Sequence, residues 1–302
     1  MQVVSIGSAN HADQILERLN YEFGFLREEG INIDVQRINR GNLTFLGCKL
    51  VRGNREKFSQ EDMAAIFRHF VANALSEVIV NDWEETLIRK FIRDNYSYFS
   101  KEEQDRVYEF VVKALDGYLA GDKDLFHKVT RKGKVLAKLV DYLNRHNELV
   151  LEGFVTFRLK EYVEELQESV DRAVDDYLME KEYREFIRLL KYFVDAQESK
   201  MEEVHVFVRS GEPFRLSDGE GKPVAREYLD DLILEVSEEG ADCEDLLISS
   251  LITLAPKKIV LHMPGEIKES AAIETLRRIF GDRLSICNGC FRCDAARRST
   301  DT

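Results

Sequence analysis

Three cysteines near residue 290 are the residues whose type and spacing most clearly indicate chemistry. Cys287, Cys290 and Cys293 are each separated by two residues, in the run Cys-Asn-Gly-Cys-Phe-Arg-Cys. Thiolates at this spacing can fold onto one metal ion, and the intervening Gly289 permits the tight turn that this requires. The spacing predicts a metal or redox site, with zinc or an iron–sulfur cluster as its cofactor.

A fourth ligand is needed, because a closed zinc site or a four-iron cluster normally takes four protein ligands. Cys243 opens a predicted helix, and His262 lies near the end of a predicted strand. If the strands in this part of the chain are parallel, their carboxyl ends share one edge of the sheet, where Cys287 also lies. The candidate metal ligands are therefore Cys243, His262, Cys287, Cys290 and Cys293.

Two other interpretations of the cysteines stay open at this point. The thiols are either unliganded, on a polar tail, or paired in a disulfide. The run does not extend to the fourth cysteine and the proline of a bacterial ferredoxin motif, so electron transfer by that route is not supported.

Other polar residues give weaker indications. Asp171 and Asp175 are four residues apart on one helix face and could bridge a divalent cation, although a solvated face is the simpler interpretation. Glu202 and His205 have the spacing of di-iron ligands, but this pair occurs once and at a strand start. The turn Gly7–Asn10 is neither a dinucleotide fingerprint nor a P-loop.

The sequence contains no nucleophile elbow, no zinc-protease motif and no kinase motif set. We therefore favour a protein without catalytic activity. A small-molecule enzyme stays an alternative, with its site near His262 and Asp242 at the carboxyl edge of the predicted C-terminal sheet.

The predicted fold class is mixed α+β, with an N-terminal and a C-terminal α/β unit on either side of a central all-helical region. Residues 1–57 are predicted to form a β-α-β-β unit. A helical domain is predicted for residues 58–201, opening with the capping box Ser59–Asp62. Residues 202–293 are predicted as an α/β unit with parallel strands, and 294–302 as a polar tail.

The strongest helical signal lies in Gly153–Lys200, which we predict to be a long amphipathic helical segment, either straight or bent around Glu180–Glu182. Its apolar residues recur at three- and four-residue steps: Val155, Leu159, Tyr162, Val163, Leu166, Val170, Val174 and Tyr177, followed by Tyr183, Phe186, Ile187, Leu190, Phe193 and Val194. The stripe is wider than a coiled-coil seam, so packing within the chain is favoured over a dimer.

Charge and composition narrow the classes of partner. The chain has 43 Lys and Arg against 56 Asp and Glu, a net charge of −13, which disfavours nucleic acid as a partner. We see no signal peptide and no stretch of about 18 uncharged apolar residues, so no membrane segment is predicted. We expect a cytoplasmic protein whose five cysteines are reduced or bind metal, with a protein partner possible and a monomer favoured over a dimer.

Several runs resemble one family. Phe157–Tyr162, Val170–Tyr183 and Glu185–Gln197 are similar to the YtxC-like sporulation proteins, as are Val204–Val206, Leu246–Lys258 and the cysteine run. The resemblance implies a spore-forming bacterium of the Bacillus–Clostridium kind and a cytoplasmic setting. It implies no known activity, and therefore no catalytic residues.

Together these observations predict a non-enzymatic binding or regulatory protein, with the long helix offering a surface for a partner. A metal- or redox-responsive protein that uses the cysteine run is the first alternative.

Overall fold

The protein is an α+β protein, which confirms the predicted fold class, and it contains two four-stranded mixed sheets. Its computed structural model describes residues 3–52, 59–115, 125–209, 212–224, 243–263 and 271–293. Asp242 and the predicted tail 294–302 lie outside these residues. The chain divides into two compact units, Met1–Met179 and Glu180–Thr302, which we call unit 1 and unit 2.

Unit 1 contains a sheet with the strand order β2-β3-β1-β4. Its strands are β1 (Val3–Ser8), β2 (Asn32–Arg40), β3 (Leu43–Arg52) and β4 (Glu148–Val150). The first three are antiparallel neighbours, whereas β4 pairs in parallel with β1. Strand β4 was not predicted, and it interrupts the region that was predicted to be entirely helical.

Seven α-helices and one π-helical turn are described in this part of the chain. They are α1 (Ala12–Glu28), α2 (Gln60–Val78), the π-helix Ile79–Trp83, α3 (Glu84–Asn95), α4 (Lys101–Leu115), α5 (Leu125–Arg145), α6 (Leu151–Arg158) and α7 (Lys160–Ala196). The predicted capping box of α2 is confirmed: Ser59 Oγ accepts the backbone N–H of Asp62, and the Asp62 carboxylate accepts that of Ser59. The N-terminus of α2 thereby gains partners for backbone N–H groups that the helix leaves unpaired.

The continuous helical run Gln60–Asn95 is long and apolar enough to cross a membrane by length and composition. It is also the central core helix of unit 1, because α2 packs between α1 and α5. Phe67, Val71, Leu75 and Ile79 are fully buried there. This core position accounts for its apolar composition.

The helical segment predicted over Gly153–Lys200 contains the long helix α7, which is continuous through Glu180–Glu182. The segment is broken at Leu159, whose backbone (φ −106°, ψ 29°) leaves helical geometry between α6 and α7. The apolar stripe of α7 is wide because it enters three separate clusters of buried residues. Tyr162 and Leu166 lie in the first cluster, Val170, Val174 and Tyr177 in the second, and Ile187 and Val194 in the third.

Not every residue of the predicted stripe is buried. Phe186 and Phe193 are 56% and 54% exposed, although their spacing predicted a core position. In this part of α7 the buried face is narrower, with Ile187, Leu190 and Val194 turned towards the core of unit 2.

Unit 2 is built on a second sheet with the strand order β6-β5-β7-β8. Its strands are β5 (Glu203–Arg209), β6 (Glu212–Asp218), β7 (Lys258–His262) and β8 (Leu284–Ile286). Strands β5, β7 and β8 are parallel neighbours, and β6 is antiparallel at one edge. The helices α8 (Cys243–Leu254) and α9 (Ala271–Phe280) precede β7 and β8. The two four-stranded sheets share no strand.

Candidate metal centre

Parallel pairing brings the candidate ligands to one edge of the sheet in unit 2. His262 is the last residue of β7, and Cys287 directly follows β8. The Cys287 backbone N–H donates to the Leu261 carbonyl at 2.9 Å, which fixes the start of the cysteine run beside the end of β7. Neighbouring parallel strands end at the same edge, so the histidine and the cysteines meet there.

The ligand atoms of His262, Cys287, Cys290 and Cys293 all lie within 4.8 Å of one another. Cys293 Sγ is 3.8 Å from Cys290 Sγ and 3.8 Å from Cys287 Sγ. The His262 Nδ1 atom is 3.2 Å from Cys293 Sγ and 3.6 Å from Cys290 Sγ.

These four separations, out of the six between the ligand atoms, fit the edges of a tetrahedron around one ion. Zinc bonds of about 2.3 Å to sulfur and about 2.0 Å to nitrogen place two sulfurs about 3.8 Å apart, and sulfur and nitrogen about 3.5 Å apart. A four-iron cluster binds each thiolate to a different iron and therefore needs the ligands farther apart. The donor set and its spacing thus fit a single zinc ion better than an iron–sulfur cluster.

The turn between the first two cysteines depends on glycine. Gly289 has φ +113°, in the region that favours glycine because a side chain there meets the backbone. After this turn, the backbone N–H of Cys293 donates to the Cys290 sulfur, and this hydrogen bond lowers the pKa of the Cys290 thiol. Burial raises the pKa of Cys293 to about 11. A bound cation is what deprotonates such a thiol at neutral pH.

The imidazole of His262 is held from two directions. It is 2% exposed, and its ring stacks on Phe207 with centroids 4.4 Å apart and planes 10° apart. Its Nε2 atom lies 2.8 Å from Nδ1 of His205, a second buried imidazole. Burial lowers the pKa of both histidines, and the charge of Arg292 lowers them further. Neutral imidazole is the form that binds metal.

His205 is the residue that the sequence did not place at this site. In the sequence it is one residue of an alternating strand, and its glutamate-then-histidine spacing with Glu202 pointed to a different kind of centre. Only the pairing of β5 with β7, which sets Phe207 opposite His262, brings His205 to the cluster.

The chain has two further cysteines, Cys243 and Cys48. Cys243 is the first residue of α8, and its side chain lies outside the described part of the chain. Cys48 is buried on β3 in unit 1, where burial raises the pKa of its thiol to about 12. Among the described residues, the group of His262 with Cys287, Cys290 and Cys293 is the one in which three or more such side chains could share an ion.

Asp171 of the acidic pair and the N-terminal turn, which are weaker candidates, have hydrogen-bond partners inside unit 1. The Tyr96 hydroxyl donates to Asp171 at 2.7 Å. At the turn after β1, Glu152 Oε1 accepts the Ala9 backbone N–H at 2.7 Å and the Ser8 hydroxyl at 2.8 Å. The protein's own carboxylate therefore occupies a position that suits an anion near the start of α1.

The fold and the cluster together define an α+β protein with a candidate single-ion centre of three cysteines and one histidine. A family model described as the YtxC-like family matches residues 69–285. The chain belongs to the YtxC-like family, which confirms the resemblance seen in the sequence.

A curated relative supports the same assignment. The chain is 25% identical over 223 residues to the Uncharacterized protein YtxC of Bacillus subtilis (strain 168), covering 72% of this chain and 76% of that protein. No solved structure matches. The range matched by the family model contains His205 and His262 and ends before Cys287.

Proposed function

We propose that this YtxC-like protein is a non-enzymatic, metal-binding protein in which three cysteines and His262 hold one zinc ion. The observation that carries the proposal is the convergence of the four ligand atoms, which all lie within 4.8 Å of one another, with four of the six pairs at 3.2–3.8 Å. Four protein ligands complete a tetrahedron and leave no position for a substrate, which is typical of structural zinc rather than catalytic zinc.

The proposed zinc ion stabilises unit 2 at the edge strand β8, which the sheet holds weakly. Strand β8 has only three residues and lies at an edge of the sheet. The ion bonds the segment that follows β8 to the end of β7 through His262. Because the ligands converge only in the folded chain, the free energy of metal binding adds to the free energy of folding.

Elemental analysis after purification without oxygen tests the proposal. We expect one zinc per chain and no visible absorption, whereas cobalt replacement gives the intense bands of tetrahedral thiolate coordination. A variant with serine at residues 287, 290 and 293 loses the metal, and Cys48→Ser is the matched control that keeps it. Zinc far below one per chain, unchanged in the triple variant, refutes the proposal. Bound iron with sulfide supports a cluster instead.

A partner-binding role for α7 is the second candidate, and exposed apolar side chains favour it. Phe186, Leu189, Tyr192 and Phe193 are all more than half exposed on one stretch of this helix. Single exposed apolar residues are common, but a contiguous group marks an interaction surface. Light scattering and cross-linking of the wild type and of Phe186→Ser/Phe193→Ser test it, and a wild-type monomer that captures no partner counts against it.

The proposed cellular setting is the cytoplasm of a spore-forming bacterium. Thiolate ligands of this kind persist where thiols are kept reduced. Membership of the YtxC-like family supports the setting, and a part in sporulation belongs to the same proposal. Fluorescent tagging in a spore-forming host, with spore counts after deletion of the gene, tests both statements.

A further inference from the structure

We propose that His205 is a positioning residue of the metal centre, which fixes the tautomer and the ring orientation of His262 so that Nδ1 faces the thiolates. The inference rests on the proposed zinc site. It assigns a role to a residue that does not belong to the group of four candidate ligands.

The two ring nitrogens of His262 have different partners. Nδ1 faces the sulfurs of Cys290 and Cys293, and Nε2 faces His205. A neutral imidazole carries one N–H, and the nitrogen that binds a metal must be the one without it. Metal binding through Nδ1 therefore requires the N–H on Nε2, which then donates to Nδ1 of His205 across 2.8 Å.

Glu203, on the far side of His205 from His262, sets the direction of this hydrogen bond. When His205 accepts through Nδ1, its own N–H lies on Nε2, and Glu203 Oε1 is 3.7 Å from that atom. Lys258 lies 3.0 Å from Glu203, and its hydrogen bond lowers the pKa of that carboxyl group. An ionised Glu203 carboxylate favours the tautomer of His205 with its N–H on Nε2, the ring nitrogen that faces Glu203. The chain from Glu203 through His205 to His262 thus orients every proton away from the metal position.

Stacking alone cannot provide this orientation. Phe207 restrains the plane of the His262 ring, but a 180° flip of the ring about its Cβ–Cγ bond returns it to the same plane and exchanges the positions of nitrogen and carbon atoms. The hydrogen bond to His205 distinguishes the two orientations. Outer partners of metal-binding histidines act in this way and typically change metal affinity by about 10- to 100-fold.

Two substitutions at one position separate the hydrogen bond from packing. His205→Asn keeps an acceptor close to the place of Nδ1, and His205→Leu keeps the bulk without an acceptor. We expect zinc affinity, measured by competition with a chromophoric chelator, to fall by about 10- to 100-fold in His205→Leu and by only a few-fold in His205→Asn. His69→Leu, at an exposed position in unit 1, is the control and leaves the affinity unchanged.

A second measurement needs no variant. Long-range ¹H–¹⁵N spectra of the zinc-loaded wild type report the tautomer of His262 directly, and we expect the N–H on Nε2. An N–H on Nδ1, or equal affinities for His205→Leu and the wild type, overturns the role of His205 while leaving the zinc site intact. Equal losses in the Leu and Asn variants also overturn it, because packing then explains the effect. A wild type that binds no zinc overturns both proposals.

Discussion

A buried ion pair in unit 1 gives the most direct test of how the helices of this unit are held. Glu84 on α3 accepts from Arg131 on α5 through two atom pairs, at 3.1 and 3.3 Å. The side chains are 8% and 13% exposed. The Tyr162 hydroxyl also donates to Glu84, and Arg131 donates to the Leu115 carbonyl at 2.6 Å. Burial raises the pKa of Tyr162, so this hydroxyl stays a donor.

Replacing Arg131 with methionine leaves the Glu84 carboxylate buried with one hydroxyl partner. Removing one member of a buried pair typically costs about 3–5 kcal/mol, because the remaining charge has lost both water and its counter-charge. Replacing both members with apolar residues of similar volume is often close to neutral. We therefore expect Arg131→Met to destabilise unit 1 strongly, and Glu84→Leu/Arg131→Met to recover most of the loss.

Trp83 makes the measurement specific to unit 1. It is the one tryptophan of the chain, and it directly precedes Glu84. At a urea dependence of about 2 kcal/mol per molar, a loss of about 3–5 kcal/mol lowers the midpoint of the Trp83 fluorescence transition by about 1.5–2.5 M. Arg145→Met, which breaks the exposed pair with Asp141, is the control and costs at most about 1 kcal/mol. The reasoning is refuted if Arg131→Met and Arg145→Met shift the urea midpoint equally, or if the double variant Glu84→Leu/Arg131→Met does not recover the loss.

Three further predictions concern the cysteines and their turn. Chelation of the proposed zinc lowers the unfolding temperature of unit 2, measured by circular dichroism, and leaves the urea midpoint of the Trp83 fluorescence transition unchanged. A shift of that midpoint contradicts this prediction. In metal-free protein, alkylation followed by mass spectrometry modifies Cys290 fastest at neutral pH, because its lowered pKa raises the thiolate fraction, whereas Cys48 stays protonated until the pH approaches about 12. Equal rates at both thiols refute the assignment. Gly289→Ala strains the backbone by about 1–2 kcal/mol and weakens zinc binding about 5- to 30-fold, whereas Gly24→Ala within α1 does not change it.

The local half of the candidate site could be predicted from the sequence. The two-residue spacing of the cysteines and the glycine between them define a turn that needs no information from elsewhere in the chain. His262 could be placed because the alternation of strands and helices indicated parallel strands, whose ends share an edge. Both inferences use rules that apply within one element or between neighbouring elements.

The other half depends on long-range pairing. The register that brings His205 to His262 joins β5 and β7, which lie more than fifty residues apart in the chain. The register of a parallel pair is set by packing on both faces of the sheet, which one sequence does not display. Strand β4 was missed for a different reason, because three residues are too few to show a period. The break at Leu159 was hidden because α6 and α7 bury residues of one continuous stripe.

The order of the strands in unit 2 has a consequence for protein synthesis. Strand β8 and the cysteines that follow it leave the ribosome after β5 and β7. The edge of β7 that pairs with β8 therefore stays unpaired until β8 has been synthesised. An unpaired edge beside a buried apolar core readily pairs with other chains. If the centre binds zinc as proposed, an ion captured from the cell completes this edge. A shortage of zinc would then reduce the yield of soluble protein at the moment of translation, before any finished molecule has lost its metal.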